Sequence, residues 1–314
     1  MMRNHRELHT VLGANGAMGR AVFKELQRRQ LNFRLVSRKK MPGFPESITA
    51  NLLNRDEAYE AVGGSQFVYL CVGLPYSTEV WKNQWKIIMQ NMIDACAKYG
   101  AKLIFLDNVY MYSQPLPIPF DEQTAKNPQS NKGKIRKDIA DMFLQAIASG
   151  KITGLIGRSA DFYGEGVTNS ILYISLLEKM RVGKRPLSLS HGKVKHTYAN
   201  VKDNGRALVE LALCEDCYGE VYHLPVSRPI TLDEIVEFFN EELKTNFKLK
   251  VMPKIMLKLL SYFVPILRES SEMQYQFEQE YIMSSHKFLS RFPGFQVTPI
   301  EQGLKEMVNF FRKG

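Results

Sequence analysis

His9-Thr10-Val11-Leu12-Gly13-Ala14-Asn15-Gly16-Ala17-Met18-Gly19 is a short β-type run that turns, through glycines spaced three and three apart, into a helical pattern. The helix predicted over Ala17 to Arg29 gathers Ala21, Val22 and Leu26 on one side, and Phe33 to Ser37 is a second strand. Such glycines let the backbone turn sharply and approach a pyrophosphate, while the free amides of the helix N-terminus face the anion. A glycine triplet alone is weak evidence, because a loop can simply need positive φ. Placed between a first strand and a helix, it becomes a dinucleotide-binding signal carried by Gly13, Asn15, Gly16, Ala17, Met18 and Gly19.

Outward from this turn the strand and helix periods keep alternating. Further strands are predicted at Phe67 to Val72, Lys102 to Leu106 and Thr153 to Gly157, with helices over Val80 to Tyr99 and Lys132 to Ser149 between them. Strand, helix, strand repeated this way specifies parallel βαβ units with right-handed crossovers. Beyond Val167 the pattern loosens. Helices are predicted over Thr168 to Arg181, Asp203 to Cys214 and Thr231 to Leu243, the last with Thr231 and Glu234 in a capping box, and a strand over Glu220 to Leu224. A segment rich in Met and Phe follows and ends in a helix over Pro299 to Arg312.

The second strand bears on the choice of dinucleotide. An NAD-selective site usually places a carboxylate there to grip the ribose hydroxyls, whereas this strand ends Ser37-Arg38-Lys39-Lys40. Arg38 offers a planar fork to a 2′-phosphate, with Ser37 and Lys39 as further donors. The expectation is NADP(H), with NAD(H) second.

Composition narrows the rest. The 314 residues are 45% apolar and 24% charged, ample for a buried core, which excludes wholesale disorder. The net charge of +10 suits an anionic partner, but it is spread along the chain without a basic block or a nucleic-acid motif, so no nucleic-acid partner is expected. The start, Met1 to Leu8, is polar and leaves no room for a secretory apolar segment. The greasiest stretch, Ile255 to Leu267, is broken by Lys258 and Pro265 and falls short of the roughly 20 residues that span a bilayer. Four cysteines, Cys71, Cys96, Cys214 and Cys217, are too few and too uneven for a disulfide framework. A cytoplasmic protein without membrane contact is expected. Cys214-Glu215-Asp216-Cys217 has a metal-type or redox-type spacing, but no further His or Cys cluster completes a zinc site, so no metal is expected.

The glycine turn, Asn51-Leu52 after the third strand, Asp107-Asn108-Val109-Tyr110-Met111-Tyr112 after the fifth, and Arg158-Ser159-Ala160-Asp161-Phe162-Tyr163-Gly164 together resemble the extended short-chain dehydrogenase/reductase superfamily. More narrowly, they resemble its NAD-dependent epimerase/dehydratase branch. The likeness extends through Asn200-Val201-Lys202-Asp203, the Gly219 to Pro225 strand, and the closing Phe292-Pro293-Gly294-Phe295 and Thr298-Pro299. It implies an α/β fold with a Rossmann-type doubly wound parallel sheet and a smaller mixed α/β C-terminal substrate lobe. The nucleotide domain would take residues 1–166 and about 195–225, and the substrate lobe 167–194 and about 226–314. A homodimer through the helices after the fourth and fifth strands is implied too. Asn51, Leu52, Cys71, Val72 and Gly73 would join the cofactor site, and Asn83, Asp161, Tyr163, His196 and Tyr198 the small-molecule substrate site.

The departure lies in the chemistry. The superfamily works with a Ser or Thr after the fifth strand and a Tyr-x-x-x-Lys on the next helix. Its spacing puts Asn108 at the Ser, Lys132 at the Tyr and Arg136 at the Lys. Positions i and i+4 share a helix face, so Lys132 and Arg136 would both look into the cleft, as in atypical members of the superfamily. Arg136 would hold the ribose. Lys132, its ammonium disfavoured by Arg136 and by an oxidised nicotinamide, would transfer the proton, with Tyr110 or Tyr112 standing in for the missing hydroxyls. The leading expectation is an NADP(H)-dependent oxidoreductase that reduces a small carbonyl or activated double bond. The alternatives are an NAD(P)-dependent nucleotide-sugar epimerase or dehydratase, and a non-catalytic NADP(H)-sensing regulator.

Overall fold

The structure, a computed structural model, describes residues 7–189, 191–253, 255 and 265–312. Its first five strands are β1 (His9–Leu12), β2 (Phe33–Ser37), β3 (Ile48–Thr49), β4 (Phe67–Leu70) and β5 (Lys102–Asp107). Helices α1 (Ala17–Arg28), α2 (Arg55–Val62), α3 (Thr78–Tyr99) and α4 (Asn131–Ala148) lie between and after them, and β6 is Gly154–Arg158. A later strand, β10 (Val221–His223), completes a seven-stranded sheet in the order β10-β6-β5-β4-β1-β2-β3, every neighbour parallel. This is a Rossmann-type doubly wound sheet, as expected.

Buried on both faces, the strands sort their side chains alternately into two cores. Leu12, Val36, Val68, Leu70, Leu103 and Phe105 pack under α2, α3 and α4. Val11, Leu35, Phe67, Tyr69, Ile104 and Leu155 pack under α1 and α6 (Val201–Ala212) on the opposite side. Helices α1 and α6 approach closely because Gly205 lies on the Ala21 backbone, where a Cβ would have no room.

The rest of the chain builds a mixed lobe. β7 (Asp161–Tyr163) pairs with β9 (Tyr198–Asn200), and β8 (Leu187–Ser188) with β11 (Lys250–Val251), all short strands without a period of their own in the sequence. The helix predicted over Thr168 to Arg181 is a π-helical turn at Leu172–Leu177 that runs into α5 (Glu178–Arg181). Helix α7 (Leu232–Leu243) starts on the predicted capping box, with Thr231 and Glu234 bonding each other reciprocally. The start through Arg6, and most of the Ile255 to Leu267 stretch, lie outside the described residues. No described helix is long and apolar enough to cross a membrane.

Candidate active site

The glycine turn sits at the carboxyl edge of the sheet. Gly13 has φ +80°, and a Cβ there would stand 2.8 Å from the Cys71 carbonyl oxygen, so glycine is required twice over. The Gly13 and Ala14 amides both donate to the Val36 carbonyl, at 2.9 and 3.0 Å, pinning the turn to β2. A Cβ on Gly19 would collide with the Gly13 carbonyl oxygen. Helix α1 begins without a capping side chain and without an acidic residue in its first turn. Its N-terminal positive end is therefore open to an anion. The residues present fit a dinucleotide pyrophosphate.

Around this turn the remaining candidates divide. Arg38 and Lys39 are exposed and their side chains make no hydrogen bond or ion pair among the described residues, whereas Ser37 is buried and spends its hydroxyl proton on the Lys39 carbonyl. Asn51 is exposed and its side chain accepts from the Leu53 amide. Leu52 points into the core and its carbonyl accepts from Asn91, which leaves no side chain for a cofactor. Cys71 is buried and its thiol pushed up to about 12 by burial, Val72 is half-buried, and Gly73 is open.

The Lys132 environment differs from the one expected. Ser130 caps α4, and Gly133 follows Lys132 because a Cβ there would lie 2.5 Å from the Tyr110 carbonyl oxygen, so the helix start is pressed against the loop after β5. That contact positions Lys132. Its side chain is fully buried, and its ammonium donates to Thr78 Oγ1 at 3.0 Å, the Glu269 carbonyl at 3.1 Å, Glu272 Oε1 at 2.8 Å and Glu269 Oε2. The Tyr76 ring lies 4.6 Å from it. Two carboxylates, not Arg136, face the ammonium, and the like-charge argument for Lys132 fails. The same carboxylates receive two helix N-termini, Glu269 the Thr78 amide at 2.9 Å and Glu272 the Asn131 amide at 3.0 Å. Burial opposes the ionised Glu269 carboxylate, but the bonds from Lys132 and Thr78 prevail and hold it below the usual carboxylate range. Neither glutamate carried a sequence signal, because both lie more than a hundred residues beyond Lys132 in an unpatterned segment.

Arg136 does not look into the cleft either. It is buried, bonded to Asp107 through Nε at 2.8 Å, and its guanidinium lies 4.6 Å over the Trp85 ring and 5.2 Å over Phe105. Asp107, at the end of β5, also accepts from Arg158 Nε at 3.3 Å. Arg158 Nη1 donates to the Tyr112 hydroxyl at 2.9 Å, and that hydroxyl lies 2.6 Å from His223 Nε2. Since a guanidinium can only donate, the Tyr112 hydroxyl must donate its hydrogen bond to Nε2, which accepts, and Nδ1–H then donates to the Ser284 carbonyl at 2.8 Å. The tautomer follows from the partners. Burial, with Arg158 nearby, pushes His223 down to about 3, although the Ser284 carbonyl pulls the other way. Burial likewise pushes Tyr112 up to about 12. Tyr112 is thus a link in a floor of buried charge under the strand ends and is closed to substrate.

Other candidates scatter. Asn108 accepts from the Tyr110 amide at 3.1 Å and caps its loop. Tyr110 is half-buried and stacks on Trp81 at 6.3 Å. Asn83 is exposed on α3 with no side-chain hydrogen bond among the described residues, while Thr78, at the start of the same helix, reaches Lys132. Tyr163 is buried against Gly303 in the core of the mixed lobe, closed to substrate. His196 lies sandwiched between Phe277 at 5.0 Å and Tyr281 at 4.8 Å, with Tyr198 at 4.5 Å and Asp161 Oδ2 3.1 Å from its Nε2. Asp161 is the polar member of that group left partly open, and its charge raises the neighbouring phenols further after burial has done most of the work, Tyr275 reaching about 12. Among the described residues no group of His, Cys, Asp or Glu could hold a metal ion.

A parallel seven-stranded sheet with a glycine turn at its first crossover is the framework of the extended short-chain dehydrogenase/reductases. The model of the NAD dependent epimerase/dehydratase family matches residues 9–222, and the chain belongs to that family. Solved structures share the fold over nearly the whole length. The UDP-glucose 4-epimerase of Thermus thermophilus, in complex with NAD, has a TM-score of 0.77 at 14% identity, covering 97% of this chain and 99% of that one. That of Thermotoga maritima, with UDP-glucose, has 0.78 at 19%, covering 98% and 99%. The UDP-N-acetylglucosamine 4-epimerase of Bacillus cereus has 0.78 at 14%, covering 98% and 97%. No curated protein matches the chain in sequence.

Proposed function

We propose that the protein binds a nicotinamide dinucleotide at the Gly13 to Gly19 turn and uses it on a nucleotide-linked sugar, in the manner of an epimerase or dehydratase. The observation that carries the first half is the turn itself, with its positive φ, its two positions closed to any Cβ and the uncapped start of α1. Family membership and the nucleotide-sugar epimerases that share the fold support the second half over the reduction of a small free carbonyl. The exposed, unpaired Arg38 supports a preference for the 2′-phosphorylated dinucleotide. When bound, the dinucleotide would accept and return hydride. The chain's own part would be the proton: an alcohol that gives up hydride must also give up its hydroxyl proton, and Lys132, which the motif spacing aligns with the family's acid/base tyrosine, would handle it together with Glu269 and Glu272, to which its ammonium is bonded. Self-association belongs to the same reading, through the α3–α4 face, whose groove of about 400 Å³ is rimmed by Lys82, Lys86, Asp138 and Asp141.

The test is a fluorescence titration with reduced and oxidised dinucleotides, followed by an NMR screen of UDP-hexoses and UDP-N-acetylhexosamines for the 4-epimer or the dehydrated sugar. Absence of dinucleotide binding refutes the proposal at its base. Binding without turnover transfers the weight to a second reading, a dinucleotide-responsive regulator. That reading is favoured by one observation, the sealing of Lys132 by Glu269 and Glu272.

A further inference from the structure

Cys214 and Cys217 lie far in sequence from the glycine turn, just past the end of α6, and the structure joins them. The two Cα atoms are 5.4 Å apart and the sulfurs are joined as a disulfide across one turn of 3-10 helix, Glu215–Cys217. The two sulfurs are not equivalent. Cys217 is fully buried in the core beneath α6, while Cys214 is half-buried at the surface, with Arg291 Nη2 donating to its Sγ at 3.3 Å. Arg291 is held in place by Asp216, whose Oδ2 it bonds at 2.8 Å. An accessible first cysteine beside a cation, followed after two residues by a buried partner, is the asymmetry that makes one thiol nucleophilic and the other resolving. The remaining cysteines offer a contrast, since Cys71 and Cys96 are buried with thiols pushed up to about 12.

We propose that Cys214 and Cys217 form a reversible dithiol/disulfide site that exchanges with glutathione-type thiols through Cys214. In the reducing direction a glutathione thiolate attacks Cys214 Sγ, the intramolecular S–S bond breaks, and Cys217 leaves as a thiolate that takes up a proton. A second glutathione thiolate attacks the glutathione sulfur of the mixed disulfide and releases Cys214 as a thiolate, stabilised by Arg291. The products are the dithiol and one glutathione disulfide, with two electrons transferred to the protein. Oxidation by glutathione disulfide runs the same steps backwards.

The full-length folded protein is equilibrated in glutathione buffers of graded ratio, quenched with acid, alkylated and weighed intact. The expected result is a single transition between species with both or neither of the two thiols free, while Cys71 and Cys96 stay unmodified in the native protein. Cys217→Ser should trap one glutathione on Cys214, and Cys214→Ser should trap none on the buried Cys217. Arg291→Ala should slow native alkylation of Cys214 in the Cys217→Ser background by about threefold to tenfold, the effect of removing a cation beside a thiolate. Equal trapping by both single variants overturns the proposal. So does a reduced pair that stays open at every glutathione ratio. A melting curve for each variant separates these outcomes from loss of the fold.

Discussion

Replacing His223 by glutamine should flatten the dependence of stability on pH in mild acid. In the folded protein His223 is neutral, because Nε2 accepts from Tyr112 and the Arg158 charge stands behind that phenol. Burial pushes the imidazole from an ordinary 6.5 to about 3. In the unfolded chain it regains its ordinary value. The stability it contributes is therefore whole above about pH 6.5 and is lost progressively as pH falls toward the folded value. Between about pH 7 and about pH 5 the linkage amounts to about 2 kcal/mol. His9 stacks on Phe67, is pushed by burial to about 4, and adds about 2 kcal/mol more over the same interval. Carboxylates held low, such as Glu25 and Glu269, act only below about pH 4.5 and leave this window clear. Urea unfolding at both pH values should then show the wild-type protein losing about 4 kcal/mol and His223→Gln about half of that. A glutamine can accept from Tyr112 and donate to the Ser284 carbonyl, so the variant keeps the contacts and loses the titration. An unchanged pH slope in His223→Gln would refute the assignment of a neutral, buried imidazole.

The other expectations concern the cofactor site and the charge clusters. Arg38→Ala should weaken NADP(H) binding by about 10-fold to 100-fold and leave NAD(H) nearly unchanged, since one charge-assisted contact is worth about 1.5 to 3 kcal/mol; equal losses for both dinucleotides in calorimetric titration return Arg38 to a solvated turn. Gly19→Ala should abolish measurable dinucleotide binding in the same titration, because its Cβ collides with the Gly13 carbonyl; wild-type affinity in a folded variant contradicts the turn assignment. Asp107→Asn leaves the buried Arg136 and Arg158 without their anion and should cost about 3 to 5 kcal/mol in denaturant unfolding, with a loss below about 1 kcal/mol counting against the charged floor. The double variant Glu269→Gln, Glu272→Gln should expose Lys132 to acylating reagents about tenfold faster in a mass-spectrometric time course, as the order-of-magnitude effect of losing two ion pairs. An unchanged rate means that packing, not the two carboxylates, seals the lysine.

What was legible in the sequence is what repeats locally. Strands β1 and β2 could be placed to the residue because Val11 and Leu12, or Leu35 and Val36, fill opposite cores within one short run. The glycine turn is local in the same sense, since the clash of a Gly19 Cβ with the Gly13 carbonyl is a property of seven consecutive residues. Strands β7, β8, β9 and β11 were missed for the opposite reason. Each is two or three residues long and exists only because a partner dozens of residues away supplies its hydrogen bonds.

The same distinction explains the Lys132 result, where helix geometry alone pointed to the wrong neighbour. Positions 132 and 136 do share a helix face, but a face is broad, and long side chains on it are directed by whichever counter-charge the tertiary fold brings near. Asp107, at the end of β5, draws Arg136 inward over Trp85, and the glutamates from residues 269 and 272 draw Lys132 toward Thr78. Each cation found a carboxylate, which removes the repulsion on which the expected chemistry depended. The pairing also bears on a lysine at the position that the motif spacing aligns with the family tyrosine. A phenol at position 132 would donate a single hydrogen bond and could not hold two carboxylates, whereas an ammonium satisfies both and binds two helix N-termini through them. Lysine at this position and the glutamates at 269 and 272 therefore form one ion-paired unit, and a substitution at any of the three is a change to the whole cluster rather than to the lysine alone.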